Sequence, residues 1–130
     1  MGLAPQLLSC DRSTFSDFAI IIVENFARSC VEILVEQLLP IDVVQVSGAL
    51  STLHDNGLVF GDLRSPNILL TNRHRVQFVD FDWCGKIGEG EYPSGMNAVD
   101  IKWPEGVVPG GLLRFEHDNE MFRRLELGVE

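Results

Sequence analysis

The apolar and polar positions divide this chain into short, separate elements. Phe18-Ala19-Ile20-Ile21-Ile22-Val23 is a continuous, largely β-branched run of the kind that forms a buried strand. Gln6 to Cys10 reads as a weaker strand before it, across the turn-rich Asp11 to Asp17. From Ser29 to Leu39, the spacing of Val31, Leu34, Val35, Leu38 and Leu39 predicts a helix that Pro40 ends. A second helix is expected from about Ile41 to Asp55, with Val43, Val46, Leu50 and Leu53 on one face and Asn56-Gly57 as its stop. Ile68 to Thr71 and Val76 to Val79 are short β-prone runs around the polar turn Asn72 to Arg75, which predicts a hairpin. After Lys86 the glycines and prolines of 88–95, 103–106 and 109–111 mark a long loop. From Leu112 or so to Leu127, the apolar Leu113, Phe115, Met121, Phe122 and Leu125 permit a final helix interleaved with charges. The fold class is therefore α+β.

The hairpin gives this pattern a chemical meaning. Asp62 and Asn67, in Asp62-Leu63-Arg64-Ser65-Pro66-Asn67, precede its first strand, and Asp80 follows its second. Antiparallel pairing brings all three to one open end. Two carboxylates and an amide oxygen are hard ligands suited to magnesium holding a phosphate.

The order D-x-x-x-x-N, then a hairpin, then Asp80-Phe81-Asp82 resembles the catalytic and metal-binding loops of the protein-kinase-like superfamily, whose signatures are H-R-D-L-x-x-x-N and D-F-G. More narrowly, GDLRSPNILL with DFDWCGK is similar to kinase-like proteins of a kind found in fungi, and the resemblance is strongest from about Leu53 to Lys86. It implies a partial kinase-like fold. Residues 1–28 would be remnant N-lobe strands and hinge, 29–86 the helices, catalytic loop and metal loop, and 87–130 an activation-segment-like loop with a terminal helix. The function implied is transfer of the terminal phosphate of ATP to a protein Ser/Thr hydroxyl, with Mg2+.

The resemblance also assigns roles. Asp62 would accept or orient the proton of the attacking hydroxyl, and Arg64, where the family usually has Lys, would neutralise transferring phosphate oxygens. Asn67 and Asp80 would ligate the metal, Leu69 would floor the adenine, and hinge backbone near Glu24 and Phe26 would hold it. His54 is expected to be a structural hydrogen-bonding residue. Asp118 resembles the helix aspartate that bonds the catalytic-loop backbone. Trp83 is expected to pack, and Cys84 to act as a small buried hydrophobe.

Departures from the pattern temper the activity. Phe60-Gly61 stands where the family has His-Arg, so the packing contact of that His falls to an aromatic ring, and Asp82 replaces the Gly of D-F-G. No G-x-G-x-x-G loop precedes a strand, and residues 1–17 hold no Lys. The expectation is thus a truncated kinase-like chain whose rival readings are a non-catalytic pseudokinase that binds another protein and a small-molecule phosphotransferase, the latter suggested by Gly61 in GDL. An unrelated metal-dependent hydrolase using Asp62, Asp80 and Asp82 is weaker, since no His or further carboxylate joins them at ligand spacing.

Composition narrows the partners. At 130 residues the chain is one domain at most, and a formal net charge of −9 argues against nucleic acid or an anionic membrane surface. Cys10, Cys30 and Cys84 are odd in number, scattered and without a C-x-x-C pair, which suits a reducing compartment. No apolar run is long enough to span a bilayer, and the N-terminus lacks a secretory pattern. The expected setting is intracellular, with self-association through apolar faces that the missing helices would have covered.

Overall fold

The computed structural model describes residues 7–12, 19–23, 30–32, 39–71 and 75–129. Strands β1 (Leu7–Arg12) and β2 (Ala19–Val23) form the expected antiparallel hairpin, with Leu7 opposite Val23 and Arg12 opposite Ala19. The turn between them and the hinge positions Glu24 and Phe26 lie outside the described residues.

The helix expected over 29–39 is corrected at its start. Cys30–Glu32 is a strand, β3, antiparallel to β5 (Ile68–Thr71), with Val31 opposite Leu70. A short apolar run carries no periodicity long enough to separate strand from helix. The free edge of β5 offers backbone partners that decide the matter. Residues 33–38 lie outside the described residues, and Pro40, expected as a helix stop, begins a helix. It occupies the first turn of α1 (Pro40–Asp55), where its fixed φ suits the helix and its missing N–H would have had no partner. Asp42 Oδ2 accepts the Leu39 N–H at 3.0 Å, closing that first turn from the third helical position.

Past the Asn56-Gly57 stop, β4 (Leu58–Val59) leads into the loop of interest, and β7 (Gly85–Lys86) pairs with it antiparallel. A 3₁₀ turn at Ser65–Asn67 then feeds β5, which pairs with β6 (Val76–Phe78), Ile68 opposite Phe78. The order in this sheet is β3-β5-β6. The final helix, α2 (Phe115–Leu127), starts a turn later than the apolar pattern suggested and ends on left-handed Gly128.

The core forms where α1, the loop, the hairpin and α2 meet. Val46, Ala49, Leu50 and Leu53 of α1 pack with Phe60, Leu63, Ile68, Val76, Phe78, Met121 and Leu125. A second cluster of Val59, Tyr92, Met96 and Leu113 anchors the long loop. That loop is closed at its base: Tyr92 N–H donates to Gly111 O at 2.8 Å and Leu113 N–H to Gly90 O at 2.9 Å. Gly90 is needed for this closure, because a Cβ there would lie 2.7 Å from Leu113 Cδ1 and 3.1 Å from Gly85 Cα. Among the described residues, no helix is long and apolar enough to cross a membrane.

Candidate active site

Asp62 sits in the bend between β4 and the 3₁₀ turn. Its carboxylate is nearly buried, at 7 % exposure, yet it is compensated. The Arg64 guanidinium forks it, Nε to Oδ1 and Nη2 to Oδ2, the second bond 2.8 Å long. A two-point guanidinium–carboxylate contact fixes both the plane and the charge of the acid. Asn67, equally buried, donates its amide nitrogen to Asp62 O at 2.9 Å. That bond orients the amide and leaves Oδ1 as the atom it can offer to a hard cation. The loop backbone is held as well, by Arg64 N–H to Asp62 O at 3.0 Å and Asn67 N–H to Arg64 O at 2.9 Å.

The hairpin brings Asp80 to this end as the sequence implied. Val79 N–H donates to Asn67 O at 2.9 Å, extending the β5–β6 ladder by one bond, and Asp80 follows directly. Asp80 is exposed and adopts φ +59°, the one positive φ outside glycine among the described residues. Aspartate tolerates this region better than most residues, and such conformations gather at functional loops. Leu69 lies on β5 opposite Gln77 and is half-buried. With Ile68 and Leu70 in the core packing, the alternation of the strand puts Leu69 on the other face. Asp82 is an exposed turn residue.

What holds the loop in place comes from α1 and α2. Asp118, fully buried on α2, accepts Phe60 N–H and Gly61 N–H, each at 2.8 Å, and His54 Nε2–H at 2.9 Å. Both structural readings from sequence, His54 and Asp118, therefore meet in one three-donor cradle. The Phe60 ring packs against Phe78 at 5.0 Å and edge-on against Phe81 at 5.1 Å. An aromatic contact thus joins the loop before Asp62 to the residue after Asp80. Gly61 has φ +86°, and a Cβ on it would meet Trp83 O and Leu113 Cδ2 at 3.1 Å. This is the physical reason for glycine at this position.

Trp83 is a packing residue, 6.1 Å edge-on to Tyr92 and 5.2 Å from Trp103. Burial, and then the charge of Asp118, push the Cys84 thiol above its usual range, which suits an inert hydrophobe. Sequence reading passed over Trp103, whose ring lies 5.1 Å under the Arg64 guanidinium. It also passed over the buried hydrogen bond of Tyr92 Oη to His117 Nδ1, 3.0 Å, which ties the long loop to α2. Neither carries a local motif, since each depends on residues far apart in sequence. A cleft of about 240 Å³ opens beside the Asp62–Asn67 loop, lined by Leu63 to Pro66, Asp100 to Pro104, Met121 and Arg124.

Among the described residues, no group of three or more His, Cys, Asp or Glu side chains could hold a metal alone. Magnesium does not ask for such a cage. It keeps waters and takes one or two protein oxygens with the phosphates of a nucleotide. The Asn67 Oδ1 and Asp80 carboxylate fit that donor set.

No family model matches the chain. It is similar to the serine/threonine-protein kinase PAK 5 of Rattus norvegicus and to that of Mus musculus, 31% identical to each over 78 residues. The match takes in 60% of this chain and spans only 10% of the length of either relative. The likeness is therefore distant and partial, and it is to a kinase.

Proposed function

We propose that this chain carries a phosphoryl-transfer site that moves the terminal phosphate of ATP to a Ser or Thr hydroxyl of a protein, with Mg2+. The observation that supports it most is the loop from Phe60 to Asn67, suspended from the buried Asp118 and presenting Asp62, Arg64 and Asn67 together. In this reading Asp62 takes the proton of the attacking hydroxyl as its oxygen bonds to the γ-phosphorus and the bond to the bridging oxygen breaks, releasing ADP. Arg64, anchored on Asp62, places positive charge where the equatorial oxygens gain negative charge. Asn67 and Asp80 would hold the metal, which would neutralise the nucleotide phosphates. The cleft beside Leu63 to Pro66 receives the acceptor chain.

The test is incorporation of labelled phosphate from Mg-ATP into Ser/Thr peptides. Wild type should label them, and Asp62→Asn should lower the rate by about a hundredfold or more, in the range of a lost general base. Equal rates in the two proteins would refute the assignment.

A second reading, a non-catalytic module that binds another protein, is favoured by one observation. Leu39, Ile41 and Val44, around the start of α1, stand 48 %, 56 % and 65 % exposed. Mg-ATP binding with no phosphotransfer would select it.

A further inference from the structure

Arg64 is held by more than the acid it forks. Its guanidinium carbon lies 5.1 Å from the centroid of the Trp103 ring, within range of a cation–π contact. Trp103 comes from the long loop, nearly forty positions later in the sequence, and that loop holds it on several sides. Its indole N–H donates to Asn97 O at 2.6 Å. Asn97 is itself fixed, its Oδ1 accepting the N–H groups of Val99 and Asp100, each at 3.1 Å. On the other side, Arg124 of α2 donates to Lys102 O at 2.5 Å, so the residue before Trp103 is tied to the helix. The ring also contacts Trp83, 5.2 Å between centroids, which packs in turn on the buried Tyr92. A line of contacts therefore runs from the loop core through Tyr92, Trp83 and Trp103 to Arg64 and Asp62.

We propose that Trp103 is a positioning residue: its ring fixes the plane in which the Arg64 guanidinium forks the Asp62 carboxylate, so the conformation of segment 97–103 sets the geometry of that pair. An arginine side chain has several free torsions. The two-point contact with the buried Asp62 sets the far end of the side chain, while the partly exposed stem keeps torsional freedom. Arg64 is 27 % exposed along its side chain, so water competes for the guanidinium, and the ring shields one face of it. With the ring below it, fewer guanidinium orientations keep the fork to Asp62 and the contact with the ring. The consequence for catalysis rests on the function proposed above, but the positioning itself does not.

The experiment separates the two. The Arg64 Nε–H resonance, assigned by its disappearance in Arg64→Lys, reports the pair without any activity. In wild type it should exchange slowly with water and be displaced by the indole ring. In Trp103→Leu the exchange should quicken about threefold or more, the factor a cation–π contact of this kind carries, and the displacement should vanish. Trp103→Phe keeps a ring with a weaker face and should fall between, which also serves if the leucine variant does not fold. A wild-type exchange rate in either folded variant would overturn the proposal. If phosphotransfer is present, Trp103→Leu should lower kcat with the KM for ATP unchanged, whereas a merely structural loss would reduce the amount of active protein and leave kcat per folded molecule intact. An Arg64 signal that responds as expected in a protein without phosphotransfer would leave positioning standing and remove only the catalytic reading.

Discussion

Replacing Asp118 by alanine removes the carboxylate that accepts two consecutive backbone N–H groups of the loop from Phe60 to Asn67. Phe60 N–H, Gly61 N–H and His54 Nε2–H all end on this carboxylate at 2.8–2.9 Å. Phe60 and Gly61 are themselves buried, so water cannot take over the acceptor role without opening the core. A buried donor left unsatisfied costs about 1–3 kcal/mol, and breaking a buried charged cluster by removing one partner costs about 3–5 kcal/mol. The loss should therefore be about 3–5 kcal/mol, a large share of the roughly 5–15 kcal/mol that holds a domain folded. Urea unfolding followed by the fluorescence of Trp83 and Trp103 reads it directly. With a slope of about 1–3 kcal/mol per molar urea, the midpoint should fall by about 2 M. Asp118→Asn keeps one oxygen and the shape of the side chain, and should lose about half as much. Amide exchange at Phe60 and Gly61 should quicken more than at the core of α1. A loss below about 1 kcal/mol in the alanine variant would refute the idea that this residue suspends the loop.

Other outcomes follow from the same geometry. Gly61→Ala, which forces a side chain onto φ +86° against Trp83 O and Leu113, should lower stability by about 1–3 kcal/mol in the same urea assay. Phe60→Ala should cost about 3–5 kcal/mol by emptying a fully buried aromatic site and should free Phe81, visible as increased exchange around Asp80. The His117 imidazole is held below its usual range, by burial first and by the nearby Arg114 second, with Glu116 and Asp118 opposing. Its neutral form is therefore the one the fold favours. This stability is complete above the ordinary histidine value near 6.5 and is lost as pH falls below it. The melting temperature should drop as pH falls below about 6.5, and His117→Asn should flatten that part of the profile.

The elements with strong local signals were legible from sequence. The second helix, the β5–β6 hairpin and the placement of Asp62, Asn67 and Asp80 at its open end all follow from patterns within a few residues of one another. Even Asp118 could be assigned its backbone contact, because its motif survives the change of context. The helix expected over 29–39 failed at Cys30–Glu32 for a physical reason: backbone pairing with β5 is a partner some forty residues away, and periodicity does not see it. Pro40 has the same ambiguity, as a proline that can stop one helix can start the next. The contact of Trp103 with Arg64 was beyond reach for a related reason. A tryptophan in a glycine- and proline-rich loop reads as connecting chain until the loop closes through Tyr92 and Leu113. The nucleotide-side residues Glu24 and Phe26 remain assigned by resemblance alone, as they lie outside the described residues.

The central claim is that the open end of the hairpin holds metal-bound nucleotide. Calorimetry of Mg-ATP binding to the wild-type chain and to Asp80→Ala tests it most directly. Saturable binding that needs magnesium and is lost in the variant is the result this account predicts. Absence of binding in a folded wild-type sample, or binding that survives loss of the Asp80 carboxylate, would contradict it.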